Sequence, residues 1–110
     1  MKVLIINGSP RAEGNTSIDL REMEKIFHAE GIQTEILQIG NKDIRGCIAC
    51  NSCGKNGKCV FDDLVNEVAP KFEACDGLII ASPVYYASAN GTLISFIDRL
   101  FYCILVWRKL

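Results

Sequence analysis

The chain has 110 residues, of which 49% are apolar and 23% charged, and its net charge is −1. This composition is typical of one soluble globular domain, long enough to bury a core without disulfides or metals. Because there is no basic block and no acidic tail, nucleic acid and membrane surfaces are poor partners. No export signal is visible, and no apolar run approaches the ~18 residues of a membrane span, so we expect a cytoplasmic protein.

The first fifteen residues, MKVLIINGSPRAEGN, predict a strand followed by an anion-binding loop. Residues 3–6 form an apolar run typical of a strand buried on both faces. A loop between such a strand and a helix collects free backbone N–H groups and the positive end of a helix dipole, which favour a phosphate. The alternative is that these residues only turn the chain. Candidate phosphate ligands are Ser9, Arg11, Asn15, Thr16 and Ser17, the last three also being candidate helix N-caps.

The rest of the chain alternates between helical and extended patterns. The first helix is expected over residues 16–30, with Leu20, Met23, Ile26, Phe27 and Ala29 facing the core. A second helix starts at Asp62 or Asp63 and runs to about residue 73, and Pro70 should kink or divide it. A third starts at Asn90 or Gly91. Strands are predicted at residues 32–39 and 77–82.

This alternation predicts an α/β fold with a parallel sheet. In such sheets ligands bind beyond the carboxyl ends of the strands. The loops over residues 7–17, 40–62 and 82–91 all fall at that edge, so we expect them to form one functional site.

Four of the six cysteines fall within thirteen residues and have the spacing C-x2-C-x2-C-x5-C. In a chain that is not exported, this density indicates metal or redox chemistry. Three alternatives remain open, namely a [4Fe–4S] cluster, a dithiol–disulfide pair and a zinc site. The four are Cys47, Cys50, Cys53 and Cys59, whereas Cys75 and Cys103 lie in apolar segments and are expected to be buried, inert thiols.

Two aromatic residues directly follow the third predicted strand, in the sequence Ser82-Pro83-Val84-Tyr85-Tyr86. Such residues commonly fill space in a core. Opposite a phosphate loop they could instead flank a flat heterocycle.

Together the segments GSPRAEGNT (8–16), the cysteine motif and SPVYYASANGTLISFIDR (82–99) resemble the flavodoxin-like NAD(P)H-dependent FMN reductases, and more narrowly the iron–sulfur flavoproteins. The resemblance implies a flavodoxin-like three-layer sandwich, bound FMN and a homodimer or homotetramer. By family pattern Ser9, Arg11, Asn15, Thr16 and Ser17 would hold the FMN phosphate, and Pro83, Val84, Tyr85 and Tyr86 would border the isoalloxazine ring. Cys47, Cys50, Cys53 and Cys59 match the cluster motif of the iron–sulfur members.

The chain departs from that family at its end. A flavodoxin-like sheet has five strands, whereas the pattern here predicts three βα units over residues 1–102 and an atypical tail over residues 103–110. The last strands are therefore expected to be missing or reduced, in a naturally short chain or in a truncated or frameshifted one. The tail could form a fourth strand or extend the last helix.

The resemblance implies an FMN-dependent oxidoreductase that takes electrons from NAD(P)H. Its partners would be small-molecule or protein electron donors and acceptors. One alternative is a non-enzymatic electron carrier that binds FMN and a [4Fe–4S] cluster. Another is a remnant that has lost cofactor binding.

Overall fold

The computed structural model describes residues 1–108, with side chains through residue 104. Every predicted strand and helix is present, and the cysteine segment contains an additional single helical turn where only a loop was expected. The elements are β1 (Lys2–Asn7), α1 (Asn15–Ala29), β2 (Gln33–Gln38), α2 (Cys53–Asn56), α3 (Leu64–Ala74), β3 (Gly77–Ala81) and α4 (Gly91–Arg108).

The three strands form one parallel sheet in the order β2-β1-β3. In the centre, Ile5 of β1 lies opposite Ile36 on one side and Ile79 on the other. This order corresponds to the first three strands of the flavodoxin-like order 2-1-3-4-5. The predicted flavodoxin-like α/β fold is therefore confirmed, with a sheet of three strands in the part that the structure describes.

The helices form a layer on each face of this sheet. Val3 and Ile5 of β1 pack beneath Leu20 of α1. The alternate residues of β1, Leu4 and Ile6, face the opposite way and pack with α3 and α4, whose Phe96 is fully buried. Because both faces of β1 are covered, the strand is a continuous apolar run rather than an alternating one.

The outer flank of α1 differs from its prediction. Leu20 is buried and Phe27 packs against the same core, but Met23 and Ile26 are 39% and 66% exposed. A helix rests on a sheet through one narrow stripe, and no described residue covers the flank beside it. The expectation that the whole apolar stripe contacts the core is wrong for these two residues and for Ala29, which is also exposed.

Helix α3 continues through Pro70 without division. Proline removes one backbone donor, which predicts a break at this point. Buried Val65 and Val68 before Pro70 and partly buried Phe72 after it pack against the same core cluster. Since both halves are held on one surface, the predicted division is wrong. At the start of the helix, Asp63 is the N-cap and accepts a hydrogen bond from the Val65 N–H at 3.1 Å.

Helix α4 extends through Arg108, so the tail continues the last helix and does not form a fourth strand. Residues 109 and 110 lie outside the described part of the chain. None of the helices in residues 1–108 is both long and apolar enough to cross a bilayer.

Gly40 lies directly against the loop that follows β1. A Cβ at this position would collide with the carbonyl oxygen of Gly8 and the carbonyl carbon of Ser9. Both of these atoms belong to the backbone, so neither can move aside independently. Glycine is therefore required for the chain after β2 to pass the first loop.

We expect Gly40→Ala to lower the free energy of unfolding by at least about 3 kcal/mol, because the added methyl group overpacks against backbone. Gly91→Ala is the matched control, since a Cβ there meets nothing within 4 Å, and it should change stability by less than about 1 kcal/mol. Urea unfolding followed by circular dichroism measures both. Equal free energies of unfolding for Gly40→Ala and Gly91→Ala would contradict the close approach of Gly40 to the first loop.

Candidate functional site

The first loop, defined as residues 8–14, is fixed from inside by the buried side chain of Asn7. Its Oδ1 accepts a hydrogen bond from the Ser9 N–H at 2.9 Å, and its Nδ2 donates to Ser17 Oγ at 3.0 Å. The Ser17 hydroxyl in turn donates to the carbonyl of Arg11 at 3.3 Å. One asparagine at the end of β1 thus joins the start of the loop to the first turn of α1.

Two further amide side chains hold the same loop from outside. Gln38 at the end of β2 donates to the Ser9 carbonyl at 3.0 Å. Asn90, just before α4, donates to the Gly8 carbonyl at 2.6 Å and is itself bound to the Ser82 hydroxyl. These two contacts were not predicted, because each joins segments that are far apart in the chain.

The N-terminus of α1 has no side-chain cap. Gly14 occupies the N-cap position in extended conformation, and the first turn contains no acidic residue. The candidate caps Asn15, Thr16 and Ser17 lie instead inside the first turn, so that prediction is wrong. The N–H groups of a first helical turn have no intrahelical acceptor, and here no side chain of the N-cap supplies one. The result is a set of backbone donors suited to an anion.

These donors open into a groove that joins the first loop to the loop after β3. The groove brings together four of the five predicted phosphate ligands and two of the four residues predicted to border the ring. The Ser17 hydroxyl lies beneath the loop, while Val84 and Tyr86, 71% and 93% exposed, lie outside the lining. The groove is lined by Ser9, Pro10, Arg11, Glu13, Gly14, Asn15, Thr16, Pro83 and Tyr85.

Glu13 is the one carboxylate in that lining, and its charge is offset. The carboxylate lies 2.8 Å from the guanidinium of Arg21, and this hydrogen bond and charge pairing lower the pKa of Glu13. No described carboxylate is paired with the exposed guanidinium of Arg11 on the same groove. The balance of charge at the groove therefore favours an anionic ligand.

The loop after β3 folds back on itself. Val84 and Ala89 form an isolated antiparallel bridge, and Ala87 between them adopts a positive φ of 56°. This tight turn leaves Tyr85 65% exposed at the edge of the groove. Its aromatic ring is therefore free to stack on a planar ligand.

The cysteine segment forms a second, separate pocket against α4. The expectation that all three loops form one functional site is therefore wrong, because only the first loop and the loop after β3 share the groove. Cys53 is buried, Cys59 is half-buried, and Cys47 and Cys50 are exposed. Cys103 is buried, as expected, and it also lines this pocket. We call this the thiol pocket, lined by Cys47, Ile48, Cys50, Asn51, Cys53, Cys59, Val60, Phe61, Arg99, Tyr102 and Cys103.

The helical period explains why Cys103 reaches the thiol pocket. Residues four apart lie on the same helix face, so Arg99 and Cys103 of α4 point to the same side. Cys75, expected to be buried, is only half-buried at the end of α3, and its thiol donates to the Phe72 carbonyl at 3.1 Å.

The donors of the thiol pocket are mostly sulfur and lie beside a positive charge. Among the described residues, no three His, Cys, Asp or Glu side chains are grouped so that they could hold a metal ion. A [4Fe–4S] cluster takes four thiolate ligands. Four thiols beside the buried guanidinium of Arg99 therefore fit a cluster by donor type and charge.

The thiols differ in their pKa values. Hydrogen bonds from the side chain and backbone of Ser52 lower the pKa of Cys50. Burial, followed by the neighbouring thiols of Cys53 and Cys59, raises the pKa of Cys103 to about 12. Since only the thiolate is an effective nucleophile, the two cysteines should differ in reactivity.

We expect iodoacetamide at pH 7 to label Cys50 of the metal-free protein at least about a hundredfold faster than Cys103, because Cys103 stays protonated and buried. Timed labelling with peptide mass spectrometry measures both rates. Ser52→Ala should lower the labelling rate of Cys50 at pH 7, because a hydrogen bond that favours the thiolate is lost. At pH 10 the labelling rate should be unchanged, because the thiol is ionised with or without that hydrogen bond. Comparable rates for Cys50 and Cys103 in the folded protein would contradict the assignment.

Comparison with known proteins identifies the family. Residues 1–109 match the family model described as NADPH-dependent FMN reductase. An iron-sulfur flavoprotein of Methanocaldococcus jannaschii is 42% identical over 99 residues, covering 90% of this chain and 51% of the relative. One of Archaeoglobus fulgidus is 38% identical over 100 residues, covering 91% and 46%.

A solved structure supports the fold. The apo form of an NADH:FMN oxidoreductase, EMOB, superposes with a TM-score of 0.63 at 23% identity, covering 90% of this chain and 49% of that one. The chain thus spans about half the length of the curated relatives it matches. Its sequence matches a single family model over nearly its whole length, and the chain therefore belongs to the NADPH-dependent FMN reductase family.

Proposed function

We propose that this chain binds FMN in the groove between the first loop and the loop after β3, and that it acts in an FMN-dependent oxidoreductase with NAD(P)H as electron donor. The observation that carries the proposal is the uncapped N-terminus of α1, which shares one groove with Arg11 and Tyr85. Family membership supports the same ligand.

The groove residues fit the phosphate end of FMN. Arg11 contributes a guanidinium suited to two parallel hydrogen bonds with phosphate oxygens. The Ser9 hydroxyl accepts the Arg11 N–H at 3.1 Å, so its own proton can be donated to a ligand. Asn15 and Thr16 add side-chain donors beside the backbone N–H groups of the first helical turn. In this proposal Ser17 contributes its backbone N–H, while its hydroxyl holds the loop.

At the other end of the groove, Pro83 and Tyr85 would border the isoalloxazine ring, with Val84 and Tyr86 on the same loop. Bound FMN would supply the chemistry by accepting a hydride equivalent from NAD(P)H and passing its electrons on. The described lining of the groove contains no histidine, and its one carboxylate is paired with Arg21. The side chains here would therefore bind and orient the reactants.

For the thiol pocket, we propose that Cys47, Cys50, Cys53 and Cys59 hold a [4Fe–4S] cluster that relays single electrons. The names of the iron-sulfur flavoprotein relatives and the donor chemistry of the pocket support this assignment. A dithiol–disulfide pair is the alternative outcome. In either case the electron acceptor is a small molecule or a protein.

We also propose that the working protein is a homodimer or homotetramer, located in the cytoplasm, in which a neighbouring polypeptide covers the outer edge of β3. That edge has no strand partner among the described residues, and Ile80 on β3 is 39% exposed. Unpaired apolar edges favour association.

The test of the proposed function is an anaerobic absorption spectrum of the purified chain, with iron and acid-labile sulfide assayed on the same sample. We expect flavin bands near ~450 nm and about four irons per chain, together with oxidation of NAD(P)H by a quinone, flavin or dye acceptor. Flavin and iron without NAD(P)H oxidation would identify an electron carrier. No bands after reconstitution with FMN and iron would overturn the proposal.

Arg11→Gln should raise the Kd for FMN about tenfold, because a charge-assisted phosphate contact is lost. The Kd for riboflavin, which lacks the phosphate, should stay the same. Quenching of flavin fluorescence measures both. Lys25→Gln, the same change of charge further along α1, is the control and should leave both constants unchanged. Equal losses of FMN and riboflavin affinity in Arg11→Gln would place the phosphate elsewhere.

A further inference from the structure

Arg99 is a fully buried arginine at the base of the thiol pocket. Its side chain is 0% exposed, and both terminal nitrogens lie 2.8 Å from the carboxylate of Asp63. Burying a guanidinium costs several kcal/mol unless it is paired and hydrogen-bonded. The groups that pair with this side chain therefore indicate which parts of the structure it holds together.

Two of those contacts lie at the two ends of the cysteine segment. Arg99 Nη1 donates to the carbonyl of Arg45 at 3.1 Å, and Nη2 donates to the carbonyl of Phe61 at 3.0 Å. These carbonyls flank residues 46–60, which contain all four motif cysteines. One side chain from α4 therefore holds the start and the end of this segment together.

A third contact reaches a sulfur. Arg99 Nη2 lies 3.4 Å from Cys59 Sγ, within hydrogen-bond distance for sulfur. The Nε of the same side chain is buried and has no acceptor among the described residues. The guanidinium thus presents positive charge and an N–H donor to the thiol pocket, and it uses only part of its donors on Asp63.

We propose that Arg99 is the positioning residue of the thiol pocket, closing the segment 46–60 and donating a hydrogen bond to the ligating sulfur of Cys59, which raises the reduction potential of the bound cluster. The second part rests on the proposed function of the four cysteines. Hydrogen bonds and charge at ligating sulfurs set cluster potentials. Reduction adds one electron to the cluster, and a fixed positive charge beside it favours that added negative charge.

The test removes the buried pair as a unit. In the double variant Arg99→Met/Asp63→Asn, no uncompensated charge is left, the net charge is unchanged, and the amide introduced by Asp63→Asn still offers an oxygen to cap α3. Arg45→Met is the control for the sulfur contact, because it removes a nearby positive charge that stacks on Phe61 at 4.2 Å and donates to no sulfur among the described residues. Arg99→Lys keeps the charge but cannot span the same acceptors.

Two measurements separate the parts of the proposal. In the metal-free protein, we expect amide hydrogen exchange across residues 46–60 to be at least about tenfold faster in the double variant than in wild type. In the reconstituted protein, we expect the midpoint potential from a spectroelectrochemical titration to move to more negative values. Arg45→Met should leave the potential close to that of wild type, and Arg99→Lys should fall between wild type and the double variant in both measurements.

Each result decides one part. Unchanged exchange overturns the closing of the segment, and an unchanged potential with full iron content overturns the sulfur contact and leaves Arg99 a purely structural residue. If wild type takes up no iron, the cluster assignment fails and the redox part fails with it, while the exchange comparison still decides the rest. If the double variant does not fold, the same two comparisons are made with Arg99→Lys.

Discussion

A buried positive charge constrains the second half of this molecule. Arg99 is enclosed between α4 and the cysteine segment, so its donors have to be satisfied by the protein itself. The acceptors come from Arg45, Phe61 and Asp63, which lie between β2 and α3 on the two sides of the cysteine segment. Removing one partner of such a buried pair typically costs about 3–5 kcal/mol. The single charge therefore fixes a segment that has one helical turn and little apolar surface of its own.

The first loop is fixed on a different physical basis. Asn7, Gln38 and Asn90 are neutral amides at the ends of strands or just before a helix, and each satisfies one backbone group of the loop. The close approach of Gly40 removes any space into which the loop could relax. Its donors are therefore ordered before an anion arrives, which lowers the entropy cost of binding. Under the proposed function, such a loop would hold the FMN phosphate without a P-loop lysine.

Features carried by local pattern were predictable, whereas features that depend on contacts between distant segments were not. The apolar run of β1 and the period of α1 led to the correct elements. The rule that parallel strands end at the same edge correctly placed the first loop and the loop after β3 at one groove, but it wrongly placed the cysteine segment there too. Arg99 and Asp63, by contrast, are 36 residues apart, and an arginine on an amphipathic helix ordinarily faces solvent. Cys103 was expected in the core because it lies in an apolar segment. The pocket that it lines is formed by the cysteine segment, which is distant in the sequence. The requirement for glycine at position 40 arises from a loop about thirty residues earlier.

Helix α4 connects the two candidate sites. Asn90, immediately before it, binds the backbone of the first loop, and Arg99 and Cys103 further along it line the thiol pocket. Nine residues separate Asn90 from Arg99, a rise of about 14 Å at 1.5 Å per residue. A helix packed through Leu93, Phe96 and Leu100 into the core is a rigid spacer. The distance between the groove and the thiol pocket is therefore set by one element of secondary structure. The packing of α4 against β1 fixes the position of one site relative to the other.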